Sequence, residues 1–308
     1  MNAIYWKRSL LVLINVVVFY FLLRYLRGNW RSFLDLRNIN FIYFLSISIV
    51  QIVFILQNTL FNGLLLRRFN LNLSFSELFD LQVVGNLLNK ILPRGGSVYR
   101  SVYLKKIHKF SYTNFLATIA GTYIVSFLAT TIFFVAFLAW IQVFLKVDVF
   151  NLLLLFIVFF LLLLPLFFVP LNFIYLKRFF EGWKIISKDF KFVILLIFFS
   201  FVGIMLSFLQ FFLVLKAIGL EAALYQIVII SGVVFITTIV NFTPDGLGLR
   251  EAGLLLFGGS IGLSMEEILL ASFMQRIIVF PIMLLTGGFS YFRLVRRRYR
   301  QLKPSVIE

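Results

Sequence analysis

The sequence predicts an all-α integral membrane protein, on three observations. Its 308 residues are 62% hydrophobic with a mean hydropathy of +1.02. Several uncharged runs exceed the roughly 20 residues that carry a helix across a bilayer. No ten-residue alternating segments separated by turns occur, so backbone groups taken into lipid must be satisfied within helices rather than in a barrel. Residues 1–308 read as a single transmembrane domain with no stretch left for a soluble one. The net charge of +17, from 29 basic and 12 acidic residues, would suggest nucleic acid in a soluble protein. In a membrane protein it points to basic cytoplasmic loops against anionic lipid headgroups, and no nucleic-acid partner is expected. The absence of cysteine excludes disulfides, thiolate nucleophiles and sulfur-based metal sites.

The first span is Leu10 to Leu23, extended if Arg24 snorkels. Lys7 and Arg8 precede it as in a signal peptide, but no small-residue cleavage site follows, so it is kept as a span. The second lies in the 26 uncharged residues Phe41 to Leu66 and ends at Arg67-Arg68. Leu81 to Asn89 is uncharged yet too short to cross, and reads as half a helix that enters, stops at Pro93 and returns. The third span sits within Phe110 to Leu145 and the fourth within Val149 to Leu176, where Pro165 and Pro170 predict kinks. Lys177 to Lys191 is basic and amphipathic, and is placed along the membrane surface. The fifth span is Phe192 to Leu215. A second broken segment, Ala222 to Pro244, precedes the 14 uncharged residues Ala252 to Met265, again short for a crossing. The last span, Ile268 to Phe292, contains a lone Arg276. Together these give about six spanning helices plus two re-entrant helical hairpins, with repeat halves near 41–145 and 192–292.

Placing both termini on the cytoplasmic side of the cell (plasma or inner) membrane puts 21 basic residues inside and six outside. Trp6, Trp30, Trp140 and Trp183 fall near span ends, as an interfacial belt requires. In this orientation the second span runs inward before the first break and the fifth runs outward before the second. The two broken segments then form an inverted-topology repeat.

The breaks themselves are NKILPRGGSVYR, Asn89 to Arg100, and NFTPDGLGLRE, Asn241 to Glu251. Each has an Asn, a Pro, a Gly two residues after the Pro, and an Arg six or seven residues after it. Proline and glycine stop a helix, so Pro93, Gly95 and Gly96, and Pro244, Gly246 and Gly248, are the expected hinge residues. If both breaks meet near the midplane, two helix N-termini face one space, with Arg94, Arg100 and Arg250 around it. An anion is the expected guest.

These stretches, with the late intramembrane Arg276, resemble the flippase-like family named after the lysylphosphatidylglycerol synthase transmembrane region. Pro-x-Gly-Leu-Gly-x-Arg-Glu is the most specific part. The resemblance implies a helical membrane domain that moves anionic or aminoacylated lipids, or polyprenyl-linked sugars, between leaflets. Larger members carry a fused aminoacyl-transferase domain; the expectation here is the membrane domain alone. The chain departs from the family pattern in having Gly96-Ser97 where an acidic residue is usual, and Tyr123 at the first-repeat position that corresponds to Arg276.

The candidate headgroup-binding residues are Asn89, Arg94, Arg100, Asn241, Arg250, Glu251 and Arg276. Each has a plainer alternative. Arg94 and Arg100 could hold a loop to anionic lipid, Glu251 could cap a half-helix or pair with Arg276, and Asp245 could titrate within the bend or, the reading favoured, cap the following helix. Asn86, Asn89 and Asn241 could satisfy backbone groups freed by the breaks. His108, among Lys105, Lys106 and Lys109, reads as an exposed interfacial residue, and the glycines at 258, 259, 262, 287 and 288 as close helix packing. No nucleotide loop, metal carboxylate pair or histidine cluster appears, so no cofactor is expected and transport is favoured over catalysis. Two alternatives stand beside it. One is an integral transferase using Glu251 and His108. The other is a scaffold subunit, whose sign would be a packed, cavity-free centre.

Overall fold

A computed structural model of the chain describes residues 40–146, 148–163, 183–239, 243–258 and 262–302, all helix, turn or connection with no strand among them. Helix α1 (Phe41–Arg68) begins where Asn40 Oδ1 accepts the Ile42 amide at 2.9 Å, and ends on two arginines that complement the carbonyl end of the dipole. Helix α2 (Phe75–Ile91) is capped by Ser74, with Glu77 in its first turn. After the first break, α3 (Gly95–His108) leads to α4 (Tyr112–Trp140), which Ser111 caps and a π turn, Ile141–Leu145, extends. Then follow α5 (Phe150–Leu163), α6 (Phe190–Ala217) with Asp189 as its cap, and α7 (Leu224–Ile239). The second break passes through a 3₁₀ turn, Pro244–Gly246, into α8 (Leu249–Gly258). Helix α9 (Met265–Leu302) opens on a reciprocal capping box, in which Ser264 Oγ takes the Glu267 amide and Glu267 Oε2 takes that of Ser264.

Among the described residues, four helices are long and apolar enough to cross a bilayer: Phe41–Arg68, Tyr112–Leu145, Phe190–Ala217 and Glu266–Arg297. They coincide with the second, third, fifth and last expected spans. The fourth is described only over the 14 residues of α5. The first span, Trp6, Trp30, Pro165, Pro170, Asn241 and Gly259 lie outside the described residues. Outward faces are apolar, with Phe198, Leu285 and Phe289 exposed, as contact with lipid tails demands.

Polar contacts fix the arrangement. Helices α1 and α6 run antiparallel, since Gln51 meets Gln210, Gln57 meets the Phe199 carbonyl, and Arg68 pairs with Asp189 at 3.4 Å. Helix α9 runs antiparallel to α2. Arg297 bonds Ser76 Oγ, Arg293 pairs with the fully buried Asp80, and Gly287 packs on Leu87. Helix α3 folds back along α2 so tightly that a Cβ on Gly96 would lie 1.9 Å from the Gly85 carbonyl oxygen. One order therefore recurs: long helix, broken helix pair, long helix, first as α1 to α4 and again as α6 to α9.

Two expectations need correction. Trp183 is buried among Phe61, Leu65 and Ile186 rather than at an interface, because residues 183–187 dock between α1, α4 and α6. The described part of the 177–191 segment turns Trp183 and Ile186 to the protein and leaves Lys184, Ile185, Lys188 and Lys191 exposed. Of the glycines read as packing points, Gly288 meets nothing within 4 Å, and Gly262 is a turn residue with φ +75°. Gly287 alone of these is shown in close helix contact.

Candidate functional site

Both breaks obey the same local rule. Leu92 and Thr243 are extended, as the residue before proline must be. The residue after each proline, Arg94 (φ 56°) or Asp245 (φ 51°), is left-handed, and a glycine comes next. Few non-glycine side chains adopt this conformation, and such strain is normally held in place by the surroundings. At the second break Gly246 (φ 67°) and Gly248 (φ 81°) carry the same backbone sense.

One amide at each break is engaged by a side chain. Asn89 Oδ1 accepts the Gly96 amide at 2.8 Å, and Glu251 Oε2 accepts that of Gly248 at 2.8 Å. Each helix start thus carries one side-chain acceptor from this protein.

Between the breaks lies a cavity of about 440 Å³. Among the described residues, its lining carries four basic side chains, Lys90, Arg94, Arg250 and Arg276, against one acid, Asp245. Lys90 Nζ binds both Asp245 oxygens at 3.0 Å, which ties the end of α2 to the second break. Arg276 Nε approaches Asp245 Oδ2 at 3.4 Å, and its Nη1 approaches Glu251 Oε1 at 2.7 Å. Glu251 is held further by Ser272 Oγ at 2.7 Å.

Arg250 is in a different state. It makes no ion pair among the described residues; its guanidinium lies 5.0 Å from the Phe211 ring centroid and its Nε is buried without a hydrogen-bond partner. Its Nη2 donates to Gln275 Oε1. Gln275 in turn donates to Gln210 at 2.6 Å, and Gln210 to Gln51 at 2.8 Å. Buried polar atoms without partners are costly and mark where a ligand or water is taken.

A family model described as the lysylphosphatidylglycerol synthase TM region matches residues 9–287, most of the chain. The chain belongs to that family. No curated protein and no solved structure matches it.

Within this lysylphosphatidylglycerol synthase TM region protein, the expected residues divide by position. Asn89, Arg94, Arg250 and Arg276 line the cavity, and Tyr123 joins them from α4. Arg100 stands behind it, bonded through Nη1 to Gln82 at 2.9 Å and folded over Gly85. Glu251 is likewise behind the lining, 6% exposed and fully engaged. Asn86 accepts from Gln82, while Asn241 lies outside the described residues. His108 is not an exposed interfacial residue: it is half-buried and 2.7 Å from Glu77 Oε1, which also accepts from Tyr103 at 2.8 Å. Glu251 and His108, the pair a transferase would need, thus belong to separate clusters. The cavity-free centre expected of a scaffold is not found.

Sequence reasoning missed Lys90, weighed Asp245 as a cap or a titrating group of the bend and not as the partner of Lys90, and passed over Gln51, Gln57, Gln210 and Gln275. For Gln51, Gln57 and Gln210 the available signal was an amide within an uncharged run, since an amide facing lipid is disfavoured and one facing inward finds a partner.

Proposed function

We propose that this protein carries an anionic lipid headgroup between leaflets through the cavity between its two breaks. The observation that carries the proposal is the cavity itself, which collects Lys90 and Arg94 from the first break, Asp245 and Arg250 from the second, and Arg276 from the last long helix. Four cations against one lining carboxylate favour a phosphate, and Arg250 has donor capacity left for it.

On this reading α2–α3 and α7–α8 are re-entrant hairpins entering from opposite faces, and the recurring helix order is an inverted repeat. Asp245 holds Lys90 and Arg276 while the cavity is empty, and an incoming phosphate takes its place on Lys90. That exchange releases the tie between the two halves, which then rock against each other around the headgroup while the acyl chains remain in the bilayer. Movement follows the lipid gradient or the membrane potential, worth about 2.3 kcal/mol per charge per 100 mV.

The test is transbilayer movement of a fluorescent anionic phospholipid in vesicles containing the wild type, Arg250→Ala or Glu251→Gln. Losing a hydrogen-bonded charge partner is expected to slow Arg250→Ala by about tenfold or more. Glu251→Gln is expected to slow movement as well, because Arg276 loses a carboxylate and α8 a charged cap. Equal rates in all three would dispose of the site.

A further inference from the structure

The cations around the two breaks are not all neutralised in the same way. Among the described residues Lys90 and Arg276 pair with Asp245, Arg276 also with Glu251, and Arg293 with Asp80. Arg250 opens onto the large cavity. Arg100 does neither: its hydrogen bonds go to Gln82 and the Gly96 carbonyl, no described carboxylate pairs with it, and it does not line that cavity. The two acids of α2 are committed elsewhere, Glu77 to His108 and Tyr103, and Asp80 to Arg293.

The backbone makes room for Arg100. A Cβ on Gly85 would lie 2.8 Å from its Nε, so only a glycine there lets the guanidinium lie across α2. In that position Nε faces the Gly96 carbonyl at 3.4 Å and Nη1 donates to Gln82 Oε1 at 2.9 Å. A guanidinium carries five N–H groups, and those two contacts leave most of them free.

Arg100 lines a second, smaller chamber of about 40 Å³ between α1, α2, α3 and α4, which meets the wall of the large cavity at Gln82. Among its other polar residues, Asn62 gives its amide hydrogens to the Asn58 carbonyl and Gln82 Oε1, and Thr118 its hydroxyl hydrogen to the Phe115 carbonyl. Gln82 gives one of its two to Asn86. The free donors are therefore those of Arg100 and one N–H of Gln82. Hydrocarbon from residues such as Leu66, Leu104 and Phe115 makes the rest of the wall.

One cation, few free donors and hydrocarbon walls select a small monovalent anion. A water needs about 10–15 Å³, so 40 Å³ takes one small ion with a water or two, far below the roughly 300 Å³ of a pocket for a headgroup-sized molecule. Sulfate or phosphate would bring more acceptor oxygens than the chamber has donors, and their unpaired oxygens would be costly to bury. A halide is spherical and asks for no fixed donor geometry.

We propose that Arg100 binds a chloride ion in this chamber, and that the ion stands in for the carboxylate that Arg100 lacks. With chloride in place the guanidinium is neutralised where α3 lies on α2, and the space between α3 and α4 is filled.

The experiment is thermal unfolding of the purified protein in uncharged detergent, at fixed sodium concentration, with chloride exchanged for gluconate. Chloride at about ten times its dissociation constant should raise Tm by about 3–5 °C. Arg100→Gln should lose that rise. Where Arg100→Gln does not fold, Gln82→Glu gives a second reading, because it places a carboxylate at the atom now 2.9 Å from Nη1. Gln82→Glu should be indifferent to chloride and unfold in gluconate at or above the wild-type temperature. Arg250→Gln, on the large cavity, should keep the full rise. No chloride effect on the wild type overturns the proposal, as does a full rise in Gln82→Glu, or a rise lost in Arg250→Gln but kept in Arg100→Gln. Crystals grown in bromide should show an anomalous peak against the Arg100 guanidinium, and a peak at Arg250 without one at Arg100 overturns the assignment.

Discussion

Gly96 lies where α3 turns back onto α2, and the 1.9 Å from a built Cβ to the Gly85 carbonyl leaves no room for even a methyl group. The obstacle is backbone, so it cannot rotate aside. Gly96→Ala should destabilise the purified protein by about 1–3 kcal/mol, seen as a lower Tm, whereas Gly288→Ala, which meets open space, should leave Tm unchanged. At this scale the sequence was informative where a residue's chemistry had few outlets. An arginine and an acid inside apolar runs had to find each other, and Arg276 and Glu251 do, at 2.7 Å. Asp245 was misjudged because its partners are remote in the chain: Lys90 is 155 residues away and Arg276 is 31, and no local pattern encodes either pairing. His108 was misjudged for the same reason, since Glu77 reaches it only after α3 has folded back.

The two breaks are the elements on which the site depends, and the ion pair of Lys90 with Asp245 joins them. Both partners are partly shielded, with side-chain exposures of 14% and 27%, so their interaction is damped less than a surface pair. A double-mutant cycle with Lys90→Met and Asp245→Asn should give a coupling of about 0.5–3 kcal/mol in thermal or chemical unfolding. A coupling near zero would mean that the breaks touch without holding each other. The motif resemblance located both breaks correctly, because proline and glycine announce themselves. Their shared left-handed residue was not legible, since Arg and Asp are both uncommon in that conformation and nothing in their side chains signals it.

Over the described residues, apolar outer faces and an apolar core surround a cavity lined by many polar side chains. Hydropathy located four long helices well, because length and lack of charge are enough to define a span. It could not reveal which faces turn inward, as the hydroxyls and amides lining the cavity are sparse along any one helix and converge only when α1, α4, α6 and α9 are packed. The chain contains no cysteine, so introduced thiols report without background. Ser126→Cys and Ser207→Cys, on the cavity wall, should react with a small water-soluble methanethiosulfonate, while Phe198→Cys, on the exposed face of α6, should not once the protein is in lipid. Equal labelling of all three would mean that the interior is no wetter than the perimeter.

The series from Arg250 through Gln275 and Gln210 to Gln51 has a direction, since every amide nitrogen in it points away from the guanidinium. Each link polarises the next, so the positive character of Arg250 is relayed across α9 and α6 and emerges on α1 at the Gln51 amide nitrogen. Reversing the sequence of dipoles would require all three amides to flip together, leaving Arg250 Nη2 facing another donor. The fold thus conducts the influence of a single fixed charge sideways through three helices, from α8 to the far wall of the cavity.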